Sequence, residues 1–339
     1  MQGLQNLGST CAINSLIQII CRTDHLRSTI LDNNVPENSL SAELKDILHL
    51  MHNCNHSLSP KKFIVHLFQH LGAFQMGEQI DIGELWMFLF DKLANEMGED
   101  LILIKDELLE YDELNYCDIY DNNKIANNKK IIELCESNML KYNNNKTSKW
   151  LDTSQGIMLS IIKCDTCDNV EYIFEPFISI SLDFPESPDI PSIASMFRNY
   201  LKTQTACEGW NCDKCKKYST YTKSLKIWKM PKVLIFIIKR FINIHSKNND
   251  PVSINKTLCI KKGSVLSDLQ NDYNYKCDSM AYHLGNMTGG HYCAISRVND
   301  NYILYDDLNV NIINTEQIEN IFNSNRDAYM LVYTLEDLK

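Results

Sequence analysis

The sequence predicts an α+β fold, with helices gathered in the first part of the chain and strands in the second. Apolar positions recur at three and four residues through about residue 100, and the period changes to two after residue 150. Two C-x-x-C pairs in the strand-rich part add a candidate metal site. At 339 residues the length prior is about two domains, or one large one with lobes. Residues 1–150 form the expected helical lobe and 151–339 the expected strand-rich lobe.

The first stretch is loop-like. Gly3, Asn6 and Gly8 lead to Thr10, a candidate N-cap, and Cys11 then opens a helix with Ile13, Leu16, Ile17 and Ile20 on one face. A thiol in the first turn faces free backbone N–H groups and the positive end of the dipole, which favours the thiolate. A buried, inert cysteine is the plainer alternative. Helices are further expected at Ala42 to Met51, from Pro60 through Leu71, and at Ile82 to Met97, the strongest stripe. His25, His49, His52, His56, His66 and His70 include helical spacings, but they lack acidic partners and read as scattered surface histidines.

Residues 99–149 are rich in Asn, Asp, Glu and Lys, and read as a mobile link with one short helix from Lys129 to Leu140. Beyond it, strands are expected at Met158 to Ile162, Tyr172 to Leu182, Tyr218 to Ile227, Val233 to Phe241, Met280 to Leu284, His291 to Arg297, Tyr302 to Tyr305 and Tyr329 to Tyr333. Pro185, Pro188 and Pro191 bound a loop, and Pro191 to Leu201 reads as a helix.

Composition narrows the function. A formal net charge of -10 disfavours a nucleic-acid partner and suits a basic protein or peptide. The start lacks a basic leader segment and no apolar run reaches the length of a membrane span, so a reducing compartment, cytoplasm or nucleus, is expected. The thirteen cysteines are then thiols, metal ligands or a nucleophile. Cys164-x-x-Cys167 and Cys212-x-x-Cys215 supply four thiolates, enough to close one tetrahedral, structural Zn²⁺ site that staples two hairpin tips. Cys207 is the nearby spare. A nucleic-acid zinc ribbon is the rival use, with Lys214, Lys216 and Lys217 as its only basic patch.

Near the C-terminus, Gly289-Gly290-His291-Tyr292 opens a strand that turns at Asn299-Asp300 and returns through Tyr305-Asp306-Asp307. If Arg297 pairs with Tyr302, Asp306 falls opposite Cys293 and His291 opposite Leu308. His291 and Asp306 are then same-face diagonal neighbours, roughly 7–8 Å apart at Cα. A bulge would put Asp307 there instead, because a one-residue slip flips every side chain. Cys11, His291 and Asp306 thus make a nucleophile, a base and the group that orients the base.

These motifs resemble the ubiquitin-specific proteases, papain-like cysteine peptidases. Gly3 to Ser15 is similar to their Cys box, Tyr282 to Arg297 to their His box, and Gln79 to Leu85 to the helix start that meets the ubiquitin tail. Pro231 to Phe241 is similar to a core palm strand, Tyr305-Asp306-Asp307 with Val310 and Ala328 to Tyr333 to the end of their catalytic domain, and the knuckles to the zinc-binding fingers. The resemblance implies a helical thumb, a β palm and zinc-ribbon fingers, with a cleft for an extended basic tail ending in Gly-Gly. It implies hydrolysis of the bond after that Gly-Gly in ubiquitinated proteins, by a monomer with no membrane or nucleic-acid partner. The alternatives are a silent ubiquitin-binding module, or the same peptidase acting on another ubiquitin-like modifier. By matching position, Asn6 and the Cys11 backbone N–H serve the oxyanion and Asp307 assists through water. Asp81, Glu84, Gly289, Gly290 and Tyr292 hold the tail. Departures are Ser9, Ala12, Gly77, Ile80, Ile82 and Leu85, which bear on tail affinity rather than on the nucleophile. The chain starts almost at the Cys box, as expected of a catalytic domain without upstream additions.

Overall fold

The structure, a computed structural model, describes residues 2–72, 77–101, 121–187, 189–243, 246–286 and 289–336. Cys117, Pro188, Thr288 and residues 102–120 of the expected link lie outside them. Five helices come first: α1 (Cys11–Arg22), α2 (Asp24–Asp32), α3 (Leu40–Asn53), α4 (Lys61–His70) and α5 (Ile82–Met97). There follow β1 (Glu99–Asp100), α6 (Asn122–Ala126), α7 (Lys129–Tyr142), β2 (Lys146–Thr147) and α8 (Lys149–Ser154). The next elements are β3 (Gly156–Cys164), β4 (Val170–Phe177), β5 (Ile180–Leu182), α9 (Ile193–Tyr200), β6 (Gln204–Asn211), β7 (Tyr218–Lys229), β8 (Val233–Ile238), β9 (Phe241–Asn243) and β10 (Ser246–Lys247). The chain ends with β11 (Thr257–Ile260), β12 (Tyr273–Asn286), β13 (Gly289–Val298), β14 (Asn301–Asp306), β15 (Asn309–Ile313), α10 (Thr315–Asn323) and β16 (Ala328–Leu335).

The large sheet runs β15-β14-β13-β12-β16-β8-β5, with β11 also on β12. It is antiparallel except where β5 joins β8. A second sheet, β4-β3-β7-β6, carries the cysteine knuckles at its hairpin tips. One apolar cluster lies between the first helices and one face of the large sheet, joining Ile13, Ile17 and Leu89 to Ala294, Tyr292 and Tyr305. A second fills the opposite face, with Phe197 of α9 and Phe322 of α10 against Phe236 and Tyr333. Such two-sided burial explains why β8 reads as an unbroken apolar run.

Three local expectations change. Tyr172 to Leu182 is two strands in two sheets: the chain leaves β4 after Phe177, and the Ile178 carbonyl accepts from the Trp86 indole before β5 begins. Period-two patterning does not register that switch. The described part of the Asn-rich link, from residue 121, is helical and packed rather than a mobile tip. Asp121 and Asn128 cap α6 and α7, and Ile125, Ile131 and Cys135 pack on Leu159, Phe174 and Trp228 of the four-stranded sheet. Helix α2 escaped prediction because it buries only Leu26, Thr29 and Ile30.

Candidate active site

The Cys11 loop is tied down on both sides. Leu4 N–H donates to the Asp307 carbonyl at 2.8 Å, and Gln5 N–H to the Leu58 carbonyl at 2.9 Å. A Cβ on Gly3 would sit 2.4 Å from the Leu308 carbonyl oxygen, so only glycine fits there. Thr10 occupies the N-cap position of α1 but its hydroxyl caps nothing. Instead it accepts from Leu7 N–H at 2.9 Å and donates to Asn6 Oδ1 at 3.2 Å, shaping the turn before the helix.

Cys11 is 5 % exposed, packed where α1 crosses β13. Burial pushes its thiol above the ordinary range, and the Asp307 charge adds to that. Backbone N–H groups of Tyr292, Ala12 and Cys11 itself pull the other way without prevailing. The helix-start effect expected from sequence is therefore present but outweighed by desolvation.

The β13–β14 register pairs Arg297 with Tyr302 and Ala294 with Tyr305, as the hairpin reading required. Continued one step, it brings His291 and Asp306 to one face, with His291 Nε2 2.6 Å from Asp306 Oδ1. Both side chains are partly exposed. The other ring nitrogen, Nδ1, is left for a second partner.

Asp307, at φ +50° in the turn after β14, joins the two ends of the chain. Its Oδ2 accepts from Asn6 Nδ2 at 2.8 Å and its Oδ1 from Asn14 Nδ2 at 2.7 Å. Asn6 Oδ1 accepts from Gly8 and Thr10 N–H groups. Sequence reasoning missed Asn14; its signal was a polar residue on the buried face of an apolar helix, one turn after Cys11. Gln79 was also missed as an individual contact.

Asp81 caps α5, accepting from Gly83 and Glu84 N–H groups through Oδ1, while Oδ2 accepts from the Tyr292 hydroxyl at 3.2 Å. Glu84 is exposed in the first turn of α5. Gly290 must lack a side chain, since a Cβ there would lie 2.1 Å from His283 Nε2.

At the other sheet, the sulfurs of Cys164, Cys167, Cys212 and Cys215 all lie within 4.8 Å of one another. Cys167 and Cys212 are 3.6 Å apart, close to the about 3.8 Å edge of a tetrahedron with Zn–S bonds of about 2.3 Å. The four residues can thus hold one metal ion. Among the described residues Cys207 stays outside this group, and no histidine cluster of the first helices forms one. No helix among the described residues is long and apolar enough to cross a membrane.

Comparison with known proteins agrees with this geometry. The sequence model of the ubiquitin carboxyl-terminal hydrolase family matches residues 2–333. The chain is 25% identical over 384 residues to ubiquitin carboxyl-terminal hydrolase 4 of Saccharomyces cerevisiae (strain YJM789), covering 98% of this chain and 39% of the relative. It is 24% identical to ubiquitin carboxyl-terminal hydrolase 4 of Arabidopsis thaliana, covering 98% of this chain and 92% of that protein. The chain thus spans about two fifths of the length of the yeast relative. Among solved structures, yeast SAGA DUBm with an Sgf73 mutant superposes with a TM-score of 0.70 at 20% identity, over 100% of this chain and 69% of that one. A SAGA DUB module bound to ubiquitin aldehyde gives 0.67 at 20% identity, over 100% and 70%. The fold is that of these proteins, and the chain belongs to the ubiquitin carboxyl-terminal hydrolase family.

Proposed function

We propose that this protein is a cysteine peptidase that hydrolyses the isopeptide or peptide bond after the C-terminal Gly-Gly of ubiquitin. The observation that carries the reading is the meeting of α1 with β13. Cys11, from the start of the chain, packs where α1 crosses β13, and His291 on that strand is held by Asp306 from the far end.

Burial holds the Cys11 thiol above its ordinary range, so a neighbouring base is needed to take its proton. His291 takes its proton through Nδ1 as Sγ attacks the glycine carbonyl, and Asp306 fixes the tautomer that makes this possible. The oxyanion is met by the Cys11 backbone N–H and by the second Nδ2 hydrogen of Asn6, the first being engaged by Asp307. The imidazolium then protonates the leaving amine. Water, activated by His291, cleaves the thioester. Asp81, Glu84, Gly289, Gly290 and Tyr292 line the path of the tail. One Zn²⁺ bound by Cys164, Cys167, Cys212 and Cys215 holds the two hairpin tips together and takes no part in the chemistry. We read the protein as a monomer of the cytoplasm or nucleus.

Ubiquitin carrying a C-terminal electrophile tests the reading. Covalent capture lost in Cys11→Ala supports it. Binding without capture indicates a silent module, and capture of only another modifier indicates a different substrate.

A further inference from the structure

Asp306 pairs with Asn309 across the β14–β15 hairpin, so Asp307 and Leu308 form its turn. Tight hairpin turns favour Asn, Asp and Gly, whose backbones take positive φ. Asp307 meets that demand at φ +50°. Leu308 serves no turn requirement, and it stands 51 % exposed. Its backbone is clamped: a Cβ on Gly3 would lie 2.4 Å from the Leu308 carbonyl oxygen, and Leu4 N–H holds the Asp307 carbonyl. A lone exposed leucine is ordinary on a protein surface; this one is set apart by its place. It follows directly on the carboxylate that anchors Asn6, and its hairpin carries the carboxylate that holds His291. Further along, Ile312 is 63 % exposed, so apolar surface runs outward from the site along β15, the edge strand of the large sheet. β15 has no Lys and no Pro, the residues that commonly guard an edge. An apolar side chain that breaks a local rule beside reacting groups marks a functional position.

We infer that Leu308 is a specificity-determining contact for the leaving side of the substrate: the acceptor polypeptide whose lysine carries ubiquitin, with an apolar residue beside that lysine. The assignment rests on the function proposed above. The tail comes to Cys11 from the start of α5 and the start of β13, the elements of Asp81, Glu84, Gly289 and Gly290. Leu308 belongs to neither. An isopeptide substrate continues past the scissile bond as an aliphatic lysine stem and the chain that bears it. That part lies against the surroundings of His291, which protonates its amine. There the hairpin offers an apolar side chain beside the carboxylates of Asp306 and Asp307. The combination fits a segment that is apolar at one residue and neutral or basic around it, whereas an acidic segment would meet like charge. A second copy of this chain is the competing occupant, and at a net charge of -10 it would bring repulsion to the same spot.

The test joins ubiquitin by an isopeptide bond to the lysine of two peptides that differ in one flanking residue, leucine or serine. The wild-type protein should cleave the leucine peptide about threefold to tenfold faster in kcat/KM, which is what covering the exposed half of a leucine is worth. Leu308→Ser should bring the two rates together, and Leu308→Met, close in volume, should restore the preference. Capture of Cys11 by ubiquitin bearing a C-terminal electrophile brings no acceptor, so it should run at one rate in all three proteins. Equal cleavage of both peptides by the wild type overturns the proposal, as does a preference that survives in Leu308→Ser. Slower capture in Leu308→Ser also overturns it, because the leucine would then shape the site itself. Self-association of the wild type that is lost in Leu308→Ser, read by sedimentation, would give the surface to a second copy instead. Each of these results leaves the functional reading standing while the wild type is captured. A wild-type protein that ubiquitin does not capture refutes that reading, and the Leu308 assignment with it.

Discussion

Replacing Asp307 by Asn separates two effects that the structure assigns to one carboxylate. Asp307 accepts from Asn6 Nδ2 at 2.8 Å and from the buried Asn14 Nδ2 at 2.7 Å. An asparagine keeps one acceptor oxygen and turns an N–H toward the other donor, so one charge-assisted bond is lost. Such bonds are worth about 1.5–3 kcal/mol; the one lost, to Asn6, is exposed and counts for less, so a stability loss of about 1 kcal/mol is expected in urea unfolding. Asn6 loses its anchor, and turnover should fall about 10-fold to 100-fold, below the about 10²–10³-fold ceiling for one oxyanion donor. The Cys11 thiol should move oppositely. Asp307 raises its pKa through its charge, so removing that charge lowers it. Iodoacetamide alkylation of Cys11, followed by peptide mapping at a series of pH values, should rise at lower pH in Asp307→Asn than in the wild type. Slower turnover with an easier-to-ionise thiol is the signature. Unchanged turnover, or an alkylation profile displaced to higher pH, would refute the reasoning.

Other outcomes follow from the same geometry. His291→Ala should abolish turnover, because the raised Cys11 thiol then has no base; near-normal hydrolysis of a ubiquitin C-terminal amide would contradict this. Gly290→Ala should cost about 1–3 kcal/mol by overpacking, since its Cβ would press on His283, a buried ring whose pKa burial lowers to about 4; thermal melting reads the loss. Cys164→Ser with Cys167→Ser should abolish zinc binding and loosen the four-stranded sheet while sparing the large one; metal analysis and hydrogen exchange by segment check both. Retained zinc would show that these thiols are not its ligands.

Local signals in the chain were read correctly where a short-range rule governs. The Arg297–Tyr302 pairing followed from a two-residue turn, and it brought His291 and Asp306 to one face. The α5 boundaries followed from an apolar stripe alone, and the structure adds Asp81 as the cap at its start. What escaped depended on distant parts meeting. Thr10 reads as a cap by type, yet Asn6 and Leu7 take its hydroxyl. The Cys11 thiol was expected to be lowered by its helix; the crossing of α1 with β13 buries it, and that larger effect has no trace in eleven residues of local sequence. Asn14 and Gln79 are ordinary polar residues until Asp307 and Gly290 arrive from the far end of the chain. The knuckle spacing carried its own geometry, because two residues between cysteines already place two sulfurs together.

The account stands on Cys11 and His291 working as one unit against a ubiquitin tail. A crystal structure of the adduct with electrophile-bearing ubiquitin tests that directly. The account predicts a covalent bond to Cys11 Sγ, with His291 Nδ1 facing the sulfur and Nε2 still on Asp306. A bond to another cysteine, or an imidazole turned away to a separate surface, would contradict it.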